Sequence, residues 1–202
     1  MENYNCAFLI KQIKDRINDQ EFSDDVICSL LNSVQFEVLG EDKYQFLEKI
    51  HEYESIGSGE LILPIDYQST FQVLLDGQKL RYISKDIFFE NPNPGCYTIY
   101  ANKLFARSFN DESPAVLQHF YLAKPYYMGP DDEPIIPYEF MDVLIYGTLT
   151  LIERNRDNYD FAEMWHRHQD ELILNMKKRY GMRQQGVSGR AYPHFRKMGR
   201  IY

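Results

Sequence analysis

The sequence predicts a mixed α+β fold, a helical bundle of two N-terminal and two C-terminal helices with an inserted antiparallel β-sheet and an extended C-terminal arm. Three observations predict this order. Apolar residues recur with helical period towards both ends, alternate with polar residues in the middle, and lose their periodicity after Tyr180. The predicted segments are N-terminal helices at 1–44, the sheet region at 45–125, C-terminal helices completing the bundle at 126–180, and the basic arm at 181–202.

The composition is that of a globular chain. With 202 residues, of which 44% are apolar and 15% aromatic, the chain is large enough to bury a core. Its apolar runs fall short of the roughly 18 residues that a membrane span needs, and its N-terminus lacks a signal-peptide pattern. We therefore expect a protein of a cytosol-like compartment with no membrane partner. The 16 Tyr and 13 Phe favour assembly, because such rings are enriched at interfaces.

Three cysteines, Cys6, Cys28 and Cys96, are widely spaced and form no C-x-x-C pair. In a cytosol-like compartment, cysteines with this spacing are mostly reduced and buried. We expect three free thiols in the core.

The N-terminal segment contains two short amphipathic helices. Apolar residues at four-residue spacing predict the first helix over residues 5–19. Ser23, followed by two aspartates that suit the positive end of a helix dipole, predicts the start of the second helix, and Gly40 ends it. Both helices need another surface against which to bury their apolar stripes.

The middle segment reads as about six short strands separated by turn signals. We interpret "YQFLEKIHEYESIGSGELILPIDY" as one hairpin that turns at Gly-Ser-Gly. In "STFQVLLDGQKLRYIS" the turn is Asp76-Gly77, and in "GCYTIYANKLFARSF" it is Ala101-Asn102. "AVLQHFYLAK" supplies a further strand. Strands and turns at this spacing are typical of an antiparallel sheet.

Two further helices complete the predicted bundle. "IIPYEFMDVLIYGTLTLIERN" is apolar around almost its whole circumference, with Pro137 at a first helical position, so it predicts a buried helix. The last helix opens at Asp160, with Glu163 three residues on, and ends at Gly181. We find no internal repeat of the kind that builds solenoids.

No motif predicts catalysis. In "WHRHQDE", residues two apart on a helix point in different directions, so His166 and His168 cannot share one ion. His166 and Asp170 are one turn apart, yet two ligands make a weak site, and we favour an exposed helix face with a partly buried His168. "GPDDEP" lacks the spacing of a calcium loop, and we interpret it as solvated. Because nucleotide-binding and hydrolase motifs are also absent, we expect neither enzyme activity nor a cofactor.

The arm has the opposite charge to the rest of the chain. Residues 172–202 carry eight Lys and Arg and no Asp or Glu, so the overall net charge of −8 leaves −16 on residues 1–171. Such a segment usually serves a partner. It fits an extended arm that docks on another protein, a solvated disordered tail, or a segment that binds single-stranded nucleic acid by stacking its rings on bases. Of these three interpretations we favour the protein-docking arm.

Six stretches in chain order resemble the head-to-tail adaptor (connector or gatekeeper) proteins of tailed bacteriophages. They are the N-terminal helix pair, "YQFLEK…GELILPIDY", "VLLDGQKL", "GCYTIYANKLFA", "FYLAKPYYM" and "PIIPYEFMDVLIYGTLTLIERNRDNYDFAEMW". The resemblance covers nearly the whole chain.

The resemblance implies a structural virion protein of the neck, assembled in the host cytoplasm. Such adaptors form a ring, here expected to hold twelve copies, which lies below the portal, extends the DNA channel and provides a platform for tail attachment. The implied partners are the portal protein, neighbouring copies, the tail or next neck protein, and double-stranded DNA that passes without specific binding. The portal-docking arm would comprise Arg183, Arg190, Tyr192, Phe195, Arg196, Lys197, Arg200 and Tyr202. Another neck or tail-tube ring protein, and a nucleic-acid-binding module using the tail, remain alternatives.

The acidic body has a physical role under this interpretation. Carboxylates that line a bore repel phosphates, whereas a basic lining would grip DNA through counterion release. The N-terminal helices and the "GPDDEP" loop are the candidates for such a lining. We expect the isolated protein to be monomeric or weakly associated, because ring closure should need the portal as a template.

Overall fold

The computed structural model describes residues 4–17, 21–53, 60–90, 94–107 and 116–182. It confirms the predicted α+β class, with helices at both ends of the described chain and most strands between them. The described helices are α1 (Cys6–Ile17), α2 (Asp24–Glu41), α3 (Lys85–Glu90), α4 (Asp142–Asn155) and α5 (Tyr159–Tyr180). The described strands are β1 (Glu48–Tyr53), β2 (Glu60–Ile62), β3 (Tyr67–Leu75), β4 (Gln78–Lys79), β5 (Arg81–Tyr82), β6 (Cys96–Tyr100), β7 (Lys103–Arg107) and β8 (Leu117–Ala123).

The strands form two four-stranded sheets. The first sheet has the order β1–β8–β3–β4, and the second has the order β2–β7–β6–β5. Neighbouring strands are antiparallel throughout, except that β5 and β6 run parallel. Val73 and Leu117 of the first sheet and Leu104 of the second belong to one buried apolar cluster, so the two sheets share a core.

Two of the three predicted hairpins are confirmed. Asp76 and Gly77 have φ of 48° and 76°, and Ala101 and Asn102 have φ of 49° and 60°, as tight two-residue turns require. The β1–β2 hairpin is wrong. β1 pairs with β8, whereas β2 pairs with β7 in the other sheet. Alternation identifies a strand but not its partner, and the apolar central strands β7 and β8 each need a second neighbour.

The helices enclose a second and larger apolar cluster, to which α1, α2, α4 and α5 all contribute. α4 is buried on most of its circumference, as its apolar pattern predicts. Gly147 lies where α4 passes closest to its neighbours, because a Cβ there would overlap the side chains of Val34 on α2 and Gln169 on α5. The close approach of three helices therefore depends on a residue without a side chain.

Two buried amides on α2 hold the segment that joins β8 to α4. Asn32 Nδ2 donates to the carbonyl of Met128 at 3.0 Å, and Asn32 Oδ1 accepts from the Met128 amide at 2.7 Å. Gln35 Nε2 donates to the Tyr126 carbonyl at 3.1 Å, and Gln35 Oε1 accepts from the Ile135 amide at 3.3 Å. The side chains thus satisfy buried backbone groups of residues 124–137, hereafter the connecting loop.

α1 rests on the same loop. The amides of Cys6 and Ala7 at its first turn donate to the carbonyls of Asp132 and Pro130, both at 2.9 Å. These bonds satisfy donors that a helix N-terminus leaves without an intrahelical partner. The connecting loop is therefore fixed from both N-terminal helices.

Three local predictions about helices need correction. α2 continues past Gly40 and ends at Glu41. α5 begins at Tyr159 rather than Asp160, and the residue before it, Asn158, donates from its side chain to Glu153 Oε2 at 2.8 Å instead of capping the helix. Pro137 precedes the 3₁₀ turn Tyr138–Phe140 and does not occupy the first position of α4. The short helix α3 was not predicted, since its six residues are too few to show a period. Within the described ranges, every helix is too short or too polar to cross a bilayer.

Candidate functional site

The predicted docking residues of the arm all lie outside the described residues. They are Arg183, Arg190, Tyr192, Phe195, Arg196, Lys197, Arg200 and Tyr202. Their role in docking therefore stays a prediction. The segment immediately before them, residues 177–182, is described, and we call it the arm root. The structure shows how the arm root is attached to the body.

Backbone contacts fix the arm root to the segment between α2 and β1. Gly181 and Tyr44 form an isolated antiparallel β-bridge, and the Met182 amide donates to the Lys43 carbonyl at 2.8 Å. Gly181 also ends α5, and a Cβ at this position would overlap the carbonyl of Lys177. Gly181 and Met182 are thus held against Lys43 and Tyr44, because glycine permits the close approach and the bridge fixes it.

Charged and polar side chains reinforce this attachment. Lys177 Nζ lies 2.6 Å from Asp42 Oδ2, and Arg179 Nη1 lies 3.2 Å from Glu139 Oε1. The Tyr180 hydroxyl donates to the same Glu139 oxygen at 2.6 Å. This hydrogen bond lowers the pKa of Glu139 and raises the pKa of Tyr180. Because these groups are at the surface, the ion pairs orient the root more than they stabilise the fold.

Aromatic rings pack beneath the same residues. The Tyr180 ring meets Phe46 and Phe140 edge-on, with centroid distances of 5.7 and 6.0 Å, and Phe46 stacks on the buried ring of Tyr44 at 5.1 Å. The rings belong to α5, to the segment after α2 and to the turn before α4. The arm root is therefore tied to three parts of the helical core.

A groove opens at the surface of the helical core. It has a volume of about 270 Å³ and lies between α1 and the start of α4; its lining residues include Phe8, Gln12, Tyr138 and Asp142. At its rim the hydroxyls of Tyr4 and Tyr138 lie 3.0 Å apart. The lining combines aromatic rings with one carboxylate, that of Asp142.

The histidine segment forms a helix surface. His166 Nε2 lies 3.7 Å from Asp170 Oδ2, as expected for residues one turn apart. His168 is exposed rather than partly buried, and its ring lies against Tyr146 and Trp165 with centroid distances of 5.6 and 6.2 Å. Throughout the described part of the chain, no three His, Cys, Asp or Glu side chains converge as a metal site would require.

All three cysteines are free and buried, as predicted. Cys6 and Cys28 lie together in the helical core, with 3.4 Å between their sulfur atoms. Burial, together with the hydrogen bond and charge of Cys28, raises the pKa of Cys6 to about 12. A thiol with this pKa is a poor nucleophile at neutral pH, so the pair belongs to the core and not to a reactive site.

A buried histidine in the first sheet was missed by sequence reasoning. His119 is fully buried between the sheets, and its Nε2 lies 2.7 Å from Thr70 Oγ1. The rings of Tyr53, Tyr67 and Tyr121 surround it, with centroid distances of 6.5, 5.7 and 5.3 Å. The signal was present in "AVLQHFYLAK", where His119 falls on the same face as Leu117 and Tyr121.

This histidine makes the fold sensitive to acid. Burial, and to a smaller extent the charge of the adjacent His51, lowers the pKa of His119 from its ordinary value of 6.5 to about 4. The unfolded chain therefore binds more protons than the folded chain between these two values. As the pH falls from 6.5 to 4, we expect His119 to remove about 3 kcal/mol from the free energy of unfolding.

Chemical denaturation at several pH values measures this effect. His119→Phe should flatten the acid dependence between pH 6.5 and 4 relative to the parent. Thr70→Val serves as the control, because it removes the hydrogen-bond partner but leaves the histidine. Thr70→Val should be less stable than the parent at every pH, but its free energy of unfolding should depend on pH as strongly as that of the parent. If His119→Phe also keeps the parental pH dependence, His119 is not the source of the acid sensitivity.

No protein-family model matches the sequence, and no curated protein is similar enough to count as a relative. The motif resemblance described above is therefore the basis for proposing a family.

Proposed function

We propose that the protein is a structural component of the virion of a tailed bacteriophage, a head-to-tail adaptor. In this proposal, copies of the chain form a ring of about twelve below the portal, extend the DNA channel and provide a platform for the tail. The portal protein, neighbouring copies and a tail or neck protein are its partners, and its place is the neck of the virion.

The observation that carries the proposal is a basic segment attached to an acidic body at a fixed root. After Met182 the chain has five Lys or Arg and no Asp or Glu. At Met182 the backbone is still hydrogen-bonded to Lys43. A segment of 20 residues can extend for up to about 70 Å. The arm can therefore reach a neighbouring protein from a defined starting point on its own body.

The charges of the arm favour an acidic partner groove. A cation facing a carboxylate gains attraction and guides the encounter, whereas one carboxylate on the arm would face repulsion there. Tyr192, Phe195 and Tyr202 add rings of the kind that fill pockets at interfaces. A stretch that contains cations and rings but no acids is suited to such a groove.

The acidic body supports a role at a DNA channel. Residues 1–171 carry a net charge of −16, and Asp24, Asp25 and Glu37 on α2 are exposed carboxylates. Any of them that face a bore would repel phosphates, so that the genome could slide without specific binding.

Deletion of the arm tests the proposal. A chain ending at Met182 retains the bridge to Tyr44, so its melting temperature should stay close to that of the full chain. Its affinity for the portal protein of the same genome should fall at least about 100-fold, because cations and aromatic anchors are lost together. The cut is placed after Met182, because removal of Gly181 would also disturb the end of α5.

A full-length control separates charge from length. Changing Arg183, Arg190, Arg196, Lys197 and Arg200 to Gln keeps the rings and the reach of the arm but removes its cations. We expect this variant to bind the portal more weakly than the parent and with less dependence on salt. Full portal binding by the chain that ends at Met182 would refute arm docking.

The same arm supports a second candidate, a nucleic-acid-binding module. Its cations are interleaved with Tyr192, Phe195 and Tyr202, a combination that also binds single strands. That candidate predicts arm-dependent binding to DNA or RNA with a steep loss on adding salt, and no need for the portal.

A further inference from the structure

One face of the second sheet carries exposed apolar side chains together with cations. α3 packs on the outer side of this sheet, where the rings of Phe88, Phe89 and Phe105 meet with centroid distances of 5.4 to 6.4 Å. Phe88 is buried, but Phe89 is 54% exposed and Ile87 is 48% exposed. We call this surface the α3 face. It also includes Arg81, Lys85, Tyr100 and Arg107.

Cations border these rings. Lys85 Nζ lies 4.7 Å from the ring centroid of Tyr100, and Arg107 Cζ lies 4.3 Å from that of Phe88. Arg81 and Arg107 flank Cys96 in one row across strands β5, β6 and β7, so they share a side of the sheet. Within the described part of the chain, neither Arg81 nor Lys85 forms an ion pair.

The α3 face is a positive region in an otherwise acidic body. Its cations are Arg81, Lys85 and Arg107, and the two carboxylates on α3 are Asp86 and Glu90. The cations on this face outnumber the carboxylates, whereas residues 1–171 as a whole have a net charge of −16. Cations such as Arg81 and Lys85, which form no ion pair among the described residues, are typical of a binding site for an acidic protein surface when they lie beside exposed rings.

The connecting loop has the matching properties. Tyr126 and Tyr127 are 47% and 61% exposed. Asp131, Asp132 and Glu133 follow them and are also exposed. Asp132 Oδ2 accepts from the Gly129 amide at 2.7 Å, while among the described residues no Lys or Arg pairs with Asp131 or Glu133.

The loop is held in place before any partner binds. Asn32 and Gln35 bond its backbone from α2, the first turn of α1 donates to it, and the Tyr126 hydroxyl donates to the Glu133 carbonyl at 2.5 Å. Fixing a loop in advance reduces the entropy that association must overcome. The acidic and aromatic side chains are thus presented on a rigid support.

We infer that the α3 face of one copy docks on the connecting loop of a second copy. This inference rests on the proposed function and identifies the contact by which the ring would close. The two surfaces lie on different parts of the chain, one on the second sheet and one on the helical core. Their contact is therefore heterologous, the kind that produces a ring when the rotation between copies closes.

A second copy suits the α3 face better than DNA. Ile87 and Phe89 need an apolar partner to cover them, and a phosphate backbone offers none. Asp86 and Glu90, both exposed on α3, would also repel phosphates. The exposed tyrosines and carboxylates of the connecting loop match both the apolar and the charged parts of the face.

A charge swap between two full-length variants tests the inference. Arg81→Glu with Lys85→Glu reverses the α3 face, and Asp131→Lys with Glu133→Lys reverses the loop. Each variant alone presents two surfaces of like charge and should associate with itself less than the parent does. Mixed together, they present complementary pairs, and sedimentation should show hetero-association at least about tenfold tighter than either self-association.

Salt and a matched control sharpen this test. Raising salt from about 50 mM to about 500 mM should weaken the mixed complex, since the contact is partly electrostatic. The control, Arg154→Glu with Arg167→Glu, changes the net charge by the same amount as the α3-face variant, but at exposed positions on α4 and α5. It should associate with the loop variant no more tightly than the parent does.

Three outcomes decide the inference. Hetero-association of the mixed variants supports it, and its absence overturns it. A DNA duplex that binds the parent but not the α3-face variant would also overturn it in favour of nucleic acid. Portal binding through the arm is measured separately and tests the adaptor function alone. If the arm still binds the portal but the mixed variants do not associate, the inference about the contact between copies is wrong and the proposed function stands.

Discussion

Replacing Asn32 with leucine is expected to lower the free energy of unfolding by about 3 kcal/mol or more, the cost of leaving several buried polar groups without partners. The Asn32 side chain pairs with both backbone groups of Met128 and also donates to the Cys28 carbonyl at 2.9 Å. Leucine has a similar volume but offers neither donor nor acceptor. The connecting loop would lose its central attachment to α2.

Urea denaturation followed by circular dichroism measures this loss. Ser33→Ala is the matched control, because Ser33 is the next residue on α2, is exposed, and donates only to the Ser29 carbonyl within its own helix. We expect the control to change stability by less than about 0.5 kcal/mol. Equal stabilities for the Asn32 variant and the parent would show that the loop is not held in this way.

Replacing Gly147 with alanine is expected to destabilise the helical core by about 2 kcal/mol, although alanine favours helices over glycine. The added Cβ would overlap the side chains of Val34 and Gln169, which are themselves buried. α4 would have to move away from α2 or α5, or the two side chains would have to leave their packed positions. Overlap should outweigh the gain in helix propensity.

Gly40→Ala is the natural comparison. Gly40 lies near the end of α2, is exposed, and has no atom within 4 Å of an added Cβ. There alanine should raise stability by up to about 1 kcal/mol through helix propensity alone. Opposite signs for the two glycine substitutions in thermal denaturation are the expected result; a gain in both would contradict the close helix packing at Gly147.

Features governed by neighbouring residues could be predicted from the sequence. Ser23 caps α2 through the Val26 amide, as its position before two aspartates indicates. The Asp76-Gly77 and Ala101-Asn102 turns also formed as predicted, because positive φ is a local requirement. Each of these depends on residues within one turn of the chain.

Features that depend on distant partners could not be predicted. Glu48–Glu52 of strand β1 are all exposed, and nothing in the strand's own residues names β8 as its neighbour. The arm root shows the same limit. Charge identifies the arm, but the bridge between Gly181 and Tyr44 joins residues that are far apart in the chain. Helix α3, which supports the proposed contact between copies, is too short to produce a periodic signal.

Electron cryomicroscopy of the assembled phage neck tests the central proposal most directly. The proposal predicts a ring of this chain directly below the portal, with each basic segment after Met182 extended against an acidic groove of the portal protein. An image in which those segments lie free in solvent, or virions that lack the protein altogether, would contradict it.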